Sequence, residues 1–512
     1  MTGWRSLPAT DDLLELIRAA LAGRPAWLVG GAVRDRLLGR DTTQDYDVVL
    51  DGDPRAAARA IAGAAGRASV GRATAFALSE EYGGWRVVAR DGSWQIDVER
   101  LRGDSLEEDL ALRDFTVNAI AEPLGEPGAG GGGGGAGGGG GGAGGGGDGG
   151  GRSAAAIDPL GGVKDLAQRC LRVAGPRAFA QDPLRVLRLV RLAVELDFEP
   201  DASTRALARA HAAGLSAVAG ERVFVELGRI LDAPGAVHGL ELMGEVGATP
   251  VVLPEVDALR EVEQSRFHHL DVYDHTLEAL AQTITLQEDP AVLVGRERGR
   301  ELAALLAEPL ADGLTRGAAL RWGALLHDAA KPLTREVRPT DGRVTFVGHD
   351  ALGAQLAGEV LVRLRASTRL QAHVAALVRH HLRLGFLVHE PQPLARRRVY
   401  AYLRACEPVE VDVTLLSVAD RLATRGDRAR EAIDAHLCLA RTMLPDALAW
   451  RADGPPRPLV RGDELARELG VPEGPRLGEL LEELAAARYA GEIATRAQAL
   501  DYARQFLAGA AT

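Results

Sequence analysis

The spacing of hydrophobic positions changes period several times along the first third of the chain, and each change marks an element. Ala26 to Val29 is a short apolar run ending at Gly30-Gly31; Ala32 to Leu38 then has helical spacing and Gly39 stops it, which predicts strand, glycine turn, helix. Gln44 to Leu50 alternates, so Asp45 and Asp47 share one face of a strand and Tyr46 and Val48 the other. Asp53 to Ala65 reads as an alanine-rich helix, and Trp85 to Ala89 with Trp94 to Val98 as a hairpin around Asp91-Gly92. Ser105 and Glu108 form a capping box that opens a helix running through LEEDLAL into Arg113 and on to Ala119. Residues 128–151 are almost all glycine, which buries nothing and costs the most entropy to order, so a flexible coil is expected there. NAIAEPLG before it and AIDPLGGVKDL after it read as two strands of one hairpin, making the tract an expanded turn.

From Phe179 the pattern is helical. Asp182-Pro183 is a helix start, Leu184, Leu187, Val190 and Val194 form a buried stripe, and Arg185, Arg188 and Arg191 form a basic one. Glu221 to Leu231 is given a packing role. His275 lies in a helix, His327-Asp328 ends the apolar run LRWGALL, and His349, His380-His381 and Asp420 follow. Arg396 to Arg398 read as a solvated basic turn, with RNA phosphate as the other use. A Gly-Pro pair then precedes an amphipathic helix bearing Leu477, Leu480, Leu481 and Leu484. The expected division is a head at 1–175, a helical neck at 176–262, a helical domain at 263–430 and a helical tail at 431–512.

Three of these stretches carry chemistry. Without Cβ atoms Gly30 and Gly31 allow a bound group to approach the backbone, and the N–H groups opening the next helix can meet an anion. Two carboxylates converging on one face suit Mg²⁺ held together with substrate phosphates, and Asp97, between Ile96 and Val98, is a candidate third. Taken singly, the glycines are a common turn and the aspartates a solvated strand face; in succession they make a phosphate cradle beside a cation site. A fixed Asp182/Arg185 pair would offer an acceptor beside a donor. Cytosine and adenine match that edge and uracil and guanine do not.

With 512 residues, 46% apolar and 26% charged, the chain is long enough for several domains. A net charge of −11 excludes a broadly basic nucleic-acid coat and leaves RNA to local arginine-rich surfaces. Cys170, Cys406 and Cys438 lack metal or redox spacing, no apolar run is long enough to cross a bilayer, and MTGWRSLPATDD is not a signal peptide; a cytoplasmic protein without membrane partners is expected. The oligomeric state is not legible.

LVGGAVRDRLLG followed by DYD resembles the DNA polymerase β-like nucleotidyltransferases, and most closely their class II branch, the tRNA CCA-adding enzymes and bacterial poly(A) polymerases. LRDFTVNA is similar to that family's R-R-D-F-T-x-N-A motif, which implies that Arg113 contacts the nucleotide. QDPLRVLRLVR is similar to its E-D-x-x-R motif, implying nucleotide recognition by Asp182, Arg185, Arg188 and Arg191, with Gln181 where the family usually has Glu. AGERVFVELGRIL resembles the next helical motif, and the closing segment resembles that of the tRNA enzymes. The order H…HD…D resembles the HD phosphohydrolase superfamily, implying a divalent transition metal on His275, His327, Asp328 and Asp420. The implied fold is α+β: a polymerase β-like head, then an all-helical neck, an HD-type domain and a helical tail.

The implied reaction is attack of a tRNA 3′-hydroxyl on the α-phosphate of CTP or ATP. Asp45, Asp47 and Asp97 would be catalytic, Mg²⁺ would sit on Asp45 and Asp47, and Gly30, Gly31 and Arg34 would hold the triphosphate. A bacterial poly(A) polymerase, an HD phosphohydrolase with a non-catalytic RNA-binding head, and an RNA-binding scaffold are the competing readings. Only VERLRGD separates Asp97 from Ser105, where CCA-adding relatives usually carry a flexible loop associated with the switch from CTP to ATP. Efficient CC addition is therefore expected, with A addition slow or left to another enzyme.

Overall fold

The computed structural model describes residues 10–40, 45–68, 71–78, 83–124, 156–264, 270–424 and 429–509. The glycine tract at 128–151, and Gln44 at the start of the expected strand, lie outside them. The chain packs as two compact units, Met1–Gly214 and Leu215–Thr512.

The first unit is built on a six-stranded sheet. Helix α1 (Thr10–Ala20) leads into β1 (Ala26–Val29), α2 (Gly31–Leu37), β2 (Asp45–Leu50), α3 (Pro54–Ala65), β3 (Ala73–Ala77), β4 (Trp85–Ala89), β5 (Gln95–Arg100), α4 (Leu106–Ala111) and β6 (Ala121–Pro123). The strand order is β3-β4-β5-β2-β1-β6. Only β2 and β5 pair parallel within it, with Asp47 opposite Asp97. Alternation along β2 is as expected: Tyr46, Val48 and Leu50 are buried, whereas Asp45 and Asp47 are open on the other face. That second face is closed further along by Val49, which packs with Leu106 and Leu110 of α4. Asp53 caps α3 by accepting from Arg55 N, with Pro54 at the first helical position.

Two boundaries differ from the sequence reading. The helix opened by Ser105 stops at Ala111 instead of running on through Arg113. Asp114 Oδ1 accepts from Phe115 N and Asn118 Nδ2, and Phe115 turns extended to bridge Val173, so local side-chain bonds take the backbone out of the helix. Helix Arg185–Leu196 starts three residues after Asp182; Asp182 closes the preceding turn, Ala178–Gln181, while its Oδ1 accepts from Leu184 N at 3.3 Å. Leu184, Leu187, Val190 and Val194 are all buried as the stripe predicts. The expected pairing across the glycine tract is present, because Ala121 and Ile157 exchange both backbone hydrogen bonds at 3.0 and 2.8 Å.

The second unit is helical. Helix Gly220–Asp232 is a packing element as expected: Val223, Leu227 and Ile230 are buried and Phe224 stacks on Trp322. Five further helices, Val272–Glu288, Arg316–Leu326, His349–Arg363, Thr368–His380 and Glu410–Leu422, bring the conspicuous histidines and acids together. The last residues form their own small core, in which Leu477, Leu480 and Leu484 of helix Pro475–Tyr489 meet Ile493 and Leu500. Arg396 to Arg398 open helix Arg396–Cys406 instead of forming a turn, and each is ion-paired: Arg396 with Asp446, Arg397 with Glu483 and Glu492, and Arg398 with Glu390.

Candidate active site and metal centre

In the first unit, β1 ends at Gly30 and the chain turns into α2 with Gly30 at φ +75°, a conformation that L side chains rarely adopt. Across the strand pair Val29 lies opposite Asp47, which brings the Gly30 backbone against the Asp47 carboxylate. A cleft of about 310 Å³ opens above them. It is lined by the acids Asp47, Asp97, Glu99 and Asp114, by Arg102, Arg113, Arg185 and Arg188, and by Gly30, Gly31 and Asn118, with Arg102 paired to Glu99 and Arg188 close to Asp114. Enclosure at the cleft floor, and then the negative charges of Asp97, Glu99 and Asp45, push the Asp47 acid up to about 6, with Arg113 acting the other way. Asp47 is nonetheless open to water from the cleft mouth, so the floor is crowded by charge without being dry. A carboxylate at odds with its neighbours' charge and pressed against bare backbone fits a divalent cation.

The fit of the expected residues is uneven. Gly30, Gly31, Asp47, Asp97, Arg113, Arg185 and Arg188 line the cleft. Asp97 is held there by Arg86, the residue opposite it on β4, through two bonds of 2.7 Å. Asp45, Asp47 and Asp97 do not, among the described residues, bring three oxygens within one metal's reach. Arg34 is turned into the scaffold: it pairs with Asp35 and donates to Asn118 Oδ1 at 2.8 Å, bracing the glycine turn. Arg191 donates to Glu195, and Asp182 is spent on the helix start described above. Arg185 is buried and gives its Nη atoms to the carbonyls of Leu112, Arg113 and Ala178, so it ties helix Arg185–Leu196 to the Arg113 turn. Burial lowers its pKa.

Sequence reasoning missed Glu99, Arg102, Asp109, Asp114 and Asn118. Glu99 was within reach, since it stands two residues beyond Asp97 on the same strand face. Buried Asp109 accepts from Arg113 at 3.1 Å and from Arg102 N at 3.1 Å, and so positions two cleft arginines. Only tertiary contact reveals that. The link between β5 and α4 is short and tied down: Leu101 N donates to Leu50 O, Asp104 N to Glu108 Oε2, and Glu108 N to Ser105 Oγ. Gly103 lies within this link at φ +104°, where a Cβ would strike Glu108.

In the second unit His275, His327 and Asp328 meet in one buried group and Asp328, His349 and His381 in another. His327 and His381 sit at the C-terminal ends of their helices, where the last carbonyls lack helical partners. Each of these two uses one: His327 Nδ1 donates to Ala324 O at 2.8 Å and His381 Nδ1 to Val378 O at 2.7 Å, while His349, at the start of helix His349–Arg363, donates Nδ1 to the preceding Phe346 O at 2.7 Å. A carbonyl only accepts, so the proton is fixed on Nδ1 and each Nε2 faces the centre. Asp420 joins through His275 Nε2 at 2.9 Å. Burial opposes charge on Asp328, yet His327, Lys331 and His349 outweigh it and hold its acid well below the usual range. Burial likewise opposes charge on His327, and Asp328 and Asp420 overcome it and raise its pKa. Burial takes His381 down to about 4. Nitrogen and carboxylate donors in this mixture suit a divalent transition metal. The expected set His275, His327, Asp328 and Asp420 is thus assembled, with His349 and His381 added. A cavity of about 520 Å³ opens onto it beside Lys331, Arg343 and Arg421.

Three family models match the chain: the poly A polymerase head domain over residues 26–126, the probable RNA and SrmB-binding site of polymerase A over 197–260, and the HD domain over 272–425. An A-adding tRNA nucleotidyltransferase of Deinococcus radiodurans is 35% identical, covering 94% of this chain and 95% of the relative. A CC-adding tRNA nucleotidyltransferase of Thermus thermophilus is 34% identical, covering 93% and 92%. Among solved structures, the Thermotoga maritima CCA-adding enzyme complexed with tRNA has a TM-score of 0.59 at 18% identity, covering 98% of each chain, and a CCA-adding enzyme with ATP has 0.60 at 18%, covering 97% and 96%. These structures share the fold. On the sequence relatives and the three matched domains, the chain belongs to the tRNA nucleotidyltransferase and poly(A) polymerase family that carries an HD domain.

Proposed function

We propose that the chain transfers nucleotidyl groups from CTP and ATP to the 3′-hydroxyl of tRNA, releasing pyrophosphate. The observation that carries this is the cleft in which Gly30 backbone and Asp47 face Arg113, Arg185 and Arg188. Asp45 and Asp47 would hold Mg²⁺, which when bound neutralises phosphate charge and acidifies the attacking hydroxyl. The chain's own residues do the rest. Arg113 and Arg188 supply fixed positive charge for a triphosphate, and Gly31 leaves its backbone open to it. Arg185 holds the Arg113 turn in place. The four-part division of head, neck, HD domain and tail is retained in this reading.

The tied-down link between β5 and α4 supports a product that stops short of full CCA, with C addition fast and A addition slow, because a pocket that passes from a small to a larger base needs a mobile element. The CC-adding relative accords with it and the A-adding relative does not. The test is end-group analysis of tRNAs ending before, within and after CCA, with each nucleotide supplied singly and together. Long A tails would replace this reading with poly(A) synthesis, and rapid complete CCA ends would overturn the partial product.

A second activity, hydrolysis of phosphoesters at the HD site, is favoured by the open cavity that Asp328, His349, His381 and Asp420 line together with Arg343 and Arg421. There His275, His327, Asp328 and Asp420 would hold a divalent transition metal. His327→Ala should remove hydrolysis and spare nucleotide addition.

A further inference from the structure

Four strands of the head's sheet each place one residue at the same level. Arg86 of β4 lies opposite Asp97 of β5, Asp97 opposite Asp47 of β2, and Asp47 opposite Val29 of β1, where the glycine turn begins. Residues opposite one another on neighbouring strands share a face and stand about 5 Å apart, so the row reads base, acid, acid. Two like charges side by side repel, and Arg86 relieves only the outer one. Its Nε donates to Asp97 Oδ1 and its Nη2 to Asp97 Oδ2, each at 2.7 Å. A guanidinium laid along a carboxylate in this fork takes the lone pairs that a cation would need in order to share both oxygens. The bond to Asp97, against burial and helped by the charges of Asp97, Asp45 and Asp47, raises the Arg86 pKa, so the guanidinium feels all three acids. Asp47 instead has the Gly30 backbone against it.

We propose that Arg86 is a positioning residue that keeps Asp97 from becoming a third ligand of the transfer cation. The cation then rests on Asp45 and Asp47 alone, keeps several waters and relies on the nucleotide's phosphates for the rest of its shell. Metal loading is thereby tied to nucleotide binding, and a cleft without Arg86 would hold the ion before the nucleotide arrives.

This rests on reading the cleft as a cation site, and the experiment separates the two failures. Mn²⁺ is titrated into full-length protein carrying His327→Ala and Asp328→Asn, which disable the second unit's donors, and the free ion is followed by electron paramagnetic resonance. Arg86→Met should tighten Mn²⁺ binding in the absence of nucleotide by about tenfold, because one positive charge a few ångströms from the ion is gone. Lost charge alone would do as much, so Asp97→Asn is made in both backgrounds. Its cost in Arg86→Met should exceed its cost in the parent by about tenfold, the coupling expected of groups in contact. Arg86→Lys, which keeps the charge and loses the fork, should show an excess in the same direction and serves where Arg86→Met does not fold. Equal costs of Asp97→Asn with and without Arg86 would overturn the proposal and leave the cation reading standing. Mn²⁺ binding that Asp47→Ala does not weaken would overturn both.

Discussion

A Cβ on Gly30 would stand 2.8 Å from Asp47 Oδ2 and 3.4 Å from Arg113 Nη1, so glycine here is what lets the cleft's acid and base close over the same backbone atom. Gly30→Ala meets two penalties: the methyl pushes Asp47 aside, and a backbone at φ +75° and ψ −141° is one that essentially only glycine occupies, at about 1–3 kcal/mol for another residue. Nucleotide addition should fall by orders of magnitude with only a modest drop in Tm. A Gly30→Ala variant with unchanged kcat and KM would show that Asp47 does not depend on this contact.

Asp47→Ala should abolish addition while tRNA binding, followed by gel shift, persists. The pH dependence of the wild type carries a further expectation. The folded chain holds the Asp47 proton more tightly than the unfolded chain does, about 6 against 3.8, so this group favours the folded state at low pH and that contribution is lost as pH rises through about 6. Cation binding has the opposite sign. The apparent Mg²⁺ affinity should weaken as pH falls through about 6, because protons and cations compete for one carboxylate. Titrations at several pH values that superimpose would contradict it.

Arg185→Met should cost stability first and nucleotide affinity second. It keeps the apolar stem but leaves the Leu112, Arg113 and Ala178 carbonyls unpartnered by this side chain, about 1–3 kcal/mol for each that cannot reach water. Denaturant midpoints measure the first effect. A midpoint equal to the wild type, with base selectivity relaxed, would instead return Arg185 to the direct base-reading role the motif suggests.

Much of the head was legible because its strands alternate cleanly and its turns are marked by glycine and aspartate. The edge strand β3 was not: ATAFA has one polar residue, Thr74, too few to set an alternation, and most of it is exposed. The helix that stops at Ala111 was misjudged because its apolar spacing continues while Asp114 captures the backbone. Arg396 and Arg397 fared worst. Their partners Asp446 and Glu492 lie 50 and 95 residues away, and no local pattern encodes such distances. The histidines of the second unit were found by order, but His349 and His381 acquire their place only from the way two helix ends meet.

Removing residues 129–150 should change stability by less than about 1 kcal/mol, since loop-closure entropy varies only logarithmically with length and the flanking Ala121 and Ile157 are already paired. Thermal unfolding and addition kinetics of the deletion variant check this. A large loss of activity with an unchanged Tm would assign the tract a role in RNA handling.

His327, His349 and His381 each have the Nδ1 proton fixed by a main-chain carbonyl, whereas His275 meets the side chain of Asp420. A point substitution can exchange Ala324, Phe346 or Val378 for another residue, yet it cannot delete the oxygen each contributes. The centre is therefore insulated from drift in its surroundings: lineages could vary the packing around it widely before its donor set changed, and a loss of metal would have to come from the ligands themselves.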